Sequence, residues 1–279
     1  MKPGILIISH GSREAGWVRL VDDAAAAVAA SETCKSSLPD GGAVPVVSVF
    51  LEIVEGRLIQ DGIDSLVAEG VKELYVLPLF VSSGSTHVDD IAQAFGLPPV
   101  SAERPGELEP FRVPADVRVY MGQPIDDDID GDIVGLLLGN IAELSETPAS
   151  ERLLLVAHGA REDVFHERYR EGMTQLAARM CALGGFAGAD IAMLLPDQAA
   201  GKLRAMQEQY PEHPVIVAPL FLSEGYFTRT VIPKRLEGFA YRYNGRALLP
   251  SPLIARWMER QIGQWLSAMG ADGAGRLGS

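Results

Sequence analysis

The run Gly4-Ile5-Leu6-Ile7-Ile8-Ser9, broken at once by His10-Gly11-Ser12-Arg13, decides how the rest of the chain is read. Its uncharged apolar residues describe a buried strand, and the abrupt change to small and polar residues ends it. In an open α/β sheet the ligand crevice lies at the carboxyl ends of the strands. An imidazole at that edge is placed for chemistry.

Outward from this strand the pattern alternates. Apolar residues at helical spacing (Trp17, Leu20, Val21, Ala24, Val28) predict a helix over 14–31. A strand over 44–51 ends in Phe50-Leu51-Glu52, a helix covers 55–69, and a third strand covers 73–80. The small-residue loop Val81-Ser82-Ser83-Gly84-Ser85-Thr86-His87 then opens a helix at about Val88, with Asp89 and Asp90 in the first turn where the helix dipole favours them. Five prolines between 96 and 114 mark an irregular insertion, read as a flap. A strand over 117–121, a helix over 126–144 and a linker over 145–150 complete the first half.

The same order restarts at Leu153-Leu154-Leu155-Val156-Ala157-His158-Gly159. Strands are expected over 153–157, 190–195, 215–222 and 246–249, and helices over 163–183, 198–210, 227–239 and 253–269, with a frayed tail from Gly270. The block Pro78-Leu79-Phe80-Val81-Ser82-Ser83-Gly84 matches Pro219-Leu220-Phe221-Leu222-Ser223-Glu224-Gly225 at five of seven positions. Strands alternating with helices mean doubly wound parallel sheets. The expected architecture is therefore α/β: a domain over 1–148, a second copy of the fold over 149–279, and a cleft between them.

Composition narrows the function. With 279 residues, 47% hydrophobic and 22% charged, the chain suits two globular domains, each with its own core. No uncharged apolar run approaches the ~20 residues of a membrane span. Met1-Lys2-Pro3 leads straight into strand without the sections of a secretory leader, so the expected location is the cytoplasm. A net charge of −13 argues against nucleic acid as partner and draws divalent cations. Cys34 and Cys181 have no Cys-x-x-Cys spacing, so no iron–sulfur cluster or structural zinc is expected. No phosphate-loop motif is present, so no nucleotide is expected either.

Three candidate ligands or proton carriers end consecutive strands of the first half: His10, Glu52 and His87. Each alone is ordinary, as a hydrogen-bonded histidine, a surface acid or a first-turn helix residue. Together, at one edge of a parallel sheet, two imidazoles and a carboxylate suit a divalent metal such as Co, Fe, Ni or Zn. They equally suit general-base catalysis near neutral pH. In the second half His158 repeats His10, but pairing Gly225 with Gly84 puts Thr228 where His87 stands, and Leu195-Pro196 falls near Leu51-Glu52. The first half is expected to be active and the second a structural or substrate-covering partner.

Strand-Ser-His-Gly-Ser-Arg, Phe-Leu-Glu, Pro-Leu-Phe-Val-Ser-Ser-Gly and His-Val-Asp-Asp-Ile, in that order, resemble the CbiX/SirB branch of the class II chelatases. These are sirohydrochlorin cobaltochelatases and ferrochelatases, lyases of siroheme and cobalamin biosynthesis. The resemblance implies two flavodoxin-like halves facing a tetrapyrrole cleft, with His10 and His87 as the metal-binding and proton-accepting pair and Glu52 completing the metal site. The metal is then a substrate, Co²⁺ or Fe²⁺, with Ni²⁺ a further candidate. For the carboxylates of such a macrocycle, the backbone N–H groups of Gly11, Ser12, Ser83, Gly84 and Ser85 and the guanidinium of Arg13 are the expected donors. Tyr226 and Phe227 are read either as packing on the macrocycle face or as core.

Two other readings compete. One is a non-catalytic protein that binds or delivers the metal or the tetrapyrrole. The other is a phosphotransfer enzyme, which wants an Arg beside its nucleophilic His; here Ser9 precedes His10 and Arg13 comes three residues later. Duplication within one chain makes a monomer the expected state.

Overall fold

The computed structural model describes residues 2–35, 41–127 and 131–275. Part of the loop that Lys-Ser-Ser-Leu-Pro-Asp-Gly-Gly predicts over 34–42, part of the helix expected over 126–144 and part of the tail expected from Gly270 lie outside them. In chain order the elements are β1 (Pro3–Ser9), α1 (Ala15–Ala29), the single turn α2 (Glu32–Lys35), β2 (Val46–Phe50), α3 (Ile59–Ala68), β3 (Glu73–Pro78), α4 (Thr86–Ala94), β4 (Arg118–Met121) and α5 (Asp132–Ile141). Then follow β5 (Arg152–Gly159), α6 (Asp163–Gly184), β6 (Gly188–Leu195), α7 (Ala199–Gln209), β7 (Val215–Pro219), a π-helical turn (Phe227–Val231), α8 (Ile232–Arg235) and α9 (Pro252–Gly275).

All pairings are parallel, in the orders β2-β1-β3-β4 and β6-β5-β7. Central β1 shows why its sequence is unbroken apolar. Ile5 and Ile7 pack into one core with α1, while Leu6 and Ile8 pack into the other with α3 and α4. Both faces are covered, so the run from Ile5 to Ile8 is apolar without a break. In each sheet the first strand lies between the second and third, and the connections leave it in opposite directions. That is a topological switch point, where such sheets bind ligands.

The core on one side of β1 runs on without interruption into the core on one side of β5, so the two sheets share a middle layer of helices. The last helix of each half crosses into that layer. α5 packs on α6 and β7, and α9 packs on α1, α2 and α5. Trp265 of α9 stacks on Tyr75 of β3 at 4.9 Å between ring centroids and lies 5.6 Å from Tyr120 of β4. Gln261 accepts hydrogen bonds from the Tyr75 hydroxyl and the Gln123 N–H. The packing thus crosses the boundary expected at 148/149, because each sheet takes one of its covering helices from the other half.

Three local expectations are corrected. The strand expected over 246–249 does not form: Leu248 and Leu249 donate to the carbonyls of Phe221 and Leu222, but Gly245 at φ 74° and Pro250 bracket a segment too short to extend the ladder. The helix expected over 227–239 shrinks to the π turn and α8. Pro233 has no N–H to donate, and Gly238 at φ 87° closes the element. The 96–114 insertion is a strap rather than a flap. The buried Asp89 accepts from the Val100 N–H at 2.8 Å, and the buried Asp90 pairs with Arg104 at 2.6 Å. Gln93 accepts from the Gly106 N–H at 2.8 Å, and Phe111 packs on Phe95. α4 begins at Thr86, so only Asp89 lies in its first turn, and both it and Asp90 are used to hold this strap.

Candidate functional site

His10 leaves the end of β1 and His87 sits in the first turn of α4, which follows β3, so the switch point of the first sheet brings them together. Their ring centroids are 4.8 Å apart at an interplanar angle of 75°. His10 Nδ1 lies 3.3 Å from the Gly11 carbonyl, an acceptor only, so Nδ1 carries the proton and donates. In the neutral ring this leaves the lone pair on Nε2, and Nε2 lies 3.6 Å from Glu52 Oε1. A lone pair beside a carboxylate is an arrangement that a shared cation or proton satisfies. Burial is the main influence on His87 and holds its imidazole below the ordinary range; the nearby His10 adds to this, against Asp90, Glu52 and Glu107. His87 is therefore neutral at pH 7, with a lone pair to offer a metal or a proton.

Glu52 is placed by the backbone. The ladder of β1 and β2 continues past both strands, with the Leu51 N–H donating to Ser9 and the Glu52 N–H to His10. This close approach needs Gly11, whose φ is 106° and where any Cβ would stand 2.1 Å from the Glu52 carbonyl oxygen. Ile53 follows at φ 74°, an uncommon conformation for a β-branched residue. Strain of that kind gathers at ligand clamps and active sites.

The imidazole pair opens into a cavity of about 460 Å³ walled by both halves. Trp17, Phe80 and Ser85 line it from the first half, and His158, Tyr226 and Phe227 from the second. Glu52 is not in the lining and reaches His10 from the side. Gly11 and Ser12 do line the cavity, but Arg13 lies in an adjoining surface groove of about 520 Å³ that it shares with Arg19. Among the described residues no three His, Cys, Asp or Glu side chains form a group set to hold a metal ion.

The loop expected to cradle an anion is already committed internally. The Ser83 N–H donates to the buried carboxylate of Asp126 at 2.9 Å, the Gly84 N–H to Ser82 Oγ at 3.0 Å, and the Ser85 N–H to the Ser82 carbonyl at 3.1 Å. Ser83, Gly84 and Ser85 therefore offer no free backbone donor for a carboxylate; of the three, Ser85 lines the cavity. They lead directly into α4 and His87. Gly84 presses on α6 of the second half, where an added Cβ would come within 2.4 Å of the Phe165 carbonyl oxygen. Asp126, read from the sequence as the start of a helix, is the anchor that sequence reasoning missed. Trp17 was also missed: its spacing marked it only as core, and helical periodicity does not separate a core face from a cavity wall.

The CbiX family model matches residues 4–138 and 152–264, so this chain belongs to the CbiX family. Solved structures share its two-sheet chelatase fold. SirB from Bacillus subtilis with Fe³⁺ superposes with a TM-score of 0.65 at 19% identity over 94% of each chain. The sirohydrochlorin chelatase SirB from Bacillus subtilis subspecies spizizenii, in complex with cobalt, gives 0.61 at 19% identity over 94% of each chain. CbiX, described as the terminal enzyme for biosynthesis of siroheme in denitrifying bacteria, gives 0.58 at 18% identity over 94% of this chain and 98% of its own. No curated protein matches the chain in a sequence comparison. No helix among the described residues is long and apolar enough to cross a membrane.

Proposed function

We propose that this chain inserts a divalent metal, Co²⁺ or Fe²⁺, into sirohydrochlorin or a closely related tetrapyrrole without nucleotide. The observation that carries this reading is the pair of imidazoles 4.8 Å apart, opening into one cavity walled by both halves. Insertion replaces two pyrrole N–H protons by one M²⁺, so the site must present a metal and accept two protons. His10 Nε2, with Glu52 beside it, presents the metal. His87, whose protonation burial disfavours, accepts the two protons in turn at pH 7 and passes each to solvent.

The donor set supports turnover over storage. A carrier that retains its metal needs a closed set of ligands, as structural zinc sites have. One imidazole and a half-exposed carboxylate leave most coordination positions to water and then to the macrocycle nitrogens. The first half (1–148) carries the reacting pair, the second (149–279) is a degenerate copy that closes the cavity, and one chain supplies both walls.

The test is anaerobic visible spectroscopy of sirohydrochlorin with Co²⁺, Fe²⁺ or Ni²⁺, without ATP. The expected result is catalytic conversion to the metallated spectrum. A wild-type rate equal to the uncatalysed one, with stoichiometric binding of metal or tetrapyrrole, replaces this reading with that of a binding or delivery protein.

A further inference from the structure

Single exposed hydrophobic side chains are ordinary, whereas adjoining ones that line a cavity mark a binding surface. Tyr226 is 70% exposed and Phe227 37% exposed, and both stand in the wall of the cavity that holds His10 and His87. They are not on a loose loop. Thr228 is buried; its hydroxyl accepts from the Gly225 N–H at 3.0 Å and lies 3.3 Å from the Gly225 carbonyl. The Tyr243 hydroxyl donates to the Thr228 carbonyl at 2.6 Å, satisfying a backbone group inside the π turn. Turns of this kind are frequent at functional sites.

The rings are braced as well as the backbone. Phe227 stacks on Phe221 at 5.6 Å and 18°, and meets the edge of His158 at 5.0 Å and 88°. Tyr226 stands against Phe227 at 5.8 Å. The charge on this wall is already compensated, since Glu224 pairs with Arg229 at 3.1 Å. The result is a rigid, uncharged aromatic surface in the same cavity as the imidazole pair. Its occupant must fit that cavity, which a protein partner on the outer surface does not. A flat conjugated ring does, because aromatic faces prefer offset stacking on one another.

We propose that Tyr226 and Phe227 form a platform on which one face of the tetrapyrrole macrocycle rests, positioning its nitrogens toward His10 and His87. This rests on the chelatase reading. Thr228, at the place corresponding to His87, then has a task of its own: it braces the platform. The second half supplies positioning residues where the first supplies reacting ones.

The experiment titrates protein into metal-free sirohydrochlorin under anaerobic conditions, following the fluorescence of the tetrapyrrole, and then measures Co²⁺ insertion. Wild type is compared with Tyr226→Ala, Tyr226→Phe, Phe227→Ala and Phe227→Trp. Each alanine variant is expected to bind the tetrapyrrole about tenfold more weakly, equivalent to about 1.4 kcal/mol. The KM for tetrapyrrole should rise by a similar factor and that for Co²⁺ should not move; Tyr226→Phe and Phe227→Trp should stay within about threefold of wild type. Tyr226→Ala is the decisive arm, because a side chain so exposed contributes little to folding. If wild type binds and metallates sirohydrochlorin while Tyr226→Ala and Phe227→Ala bind it within twofold, the platform is overturned and the chelatase reading stands. A shift confined to the Co²⁺ KM also overturns the platform. If wild type neither binds nor metallates sirohydrochlorin, both readings fall.

Discussion

The loops after β1 and β5 are nearly the same, and the loops after β3 and β7 are not. At the end of β1 and of β5 a histidine Nδ1 donates to the next carbonyl, at 3.3 Å for His10 and 3.1 Å for His158. Both following glycines have positive φ, and an added Cβ would strike the carbonyl oxygen of Glu52 beside Gly11 and of Leu195 beside Gly159. After β3, Gly84 is pressed on the backbone of α6, whereas nothing lies within 4 Å of a Cβ at Gly225. Three residues further on, one loop presents His87 to the cavity and the other buries Thr228. The backbone frame is shared, and the difference between the halves is carried by side chains set upon it.

The largest effect should separate the two sets of loops outright. His87→Ala is expected to slow metal insertion about 100-fold, the lower end for a lost general base. His158→Ala, which loses the hydrogen bond to the Gly159 carbonyl and an edge contact with Phe227, should slow it less than tenfold. Steady-state insertion rates decide this, and equal losses would move the reacting centre to the space between the halves.

Next in size is the pair of glycines. Gly84→Ala drives a methyl into the α6 backbone and should destabilise by about 2 kcal/mol, as overpacking does. Gly225→Ala meets open space and should stay within about 0.5 kcal/mol. Urea denaturation of both variants measures the contrast; a larger loss at Gly225 would show that the second loop, not the first, is clamped between the halves.

The smallest effect sharpens what His87 adds and Thr228 does not. Burial lowers the folded-state pKa of His87 from its ordinary 6.5. As pH falls below about 6.5 the unfolded chain takes up a proton that the folded chain refuses, so stability declines down to the folded value. Replacing the imidazole, as in His87→Asn, removes that proton difference, and the plot of unfolding free energy against pH should be flatter in this window than for wild type. An unchanged slope would mean that His87 is solvated as freely in the folded chain as in the unfolded one.

Much of this was legible before any coordinates. Unbroken apolar runs at 4–9 and 153–157 call for strands covered on both faces, and the helices between them call for parallel sheets. The Pro-Leu-Phe blocks marked the loops that now differ, and the offset of Thr228 from Gly225 matches that of His87 from Gly84. Less legible were features that depend on distant partners. Proline content suggested a mobile 96–114 segment, but Asp89, Asp90 and Gln93 tie it to α4. Small residues at 83–85 suggested free N–H groups, but the carboxylate of Asp126, some forty residues on, takes the first of them.

Local pattern alone determined the class of fold and the residues that end its strands, since hydrophobic periodicity and strand ends are properties of neighbours along the chain. Only the tertiary structure decided that α5 and α9 trade places between halves, that Arg13 turns to a separate groove, and that Tyr226 and Phe227 face the cavity rather than the core. Those outcomes depend on which surfaces are left uncovered when two sheets pack together, and no short stretch of sequence carries that information.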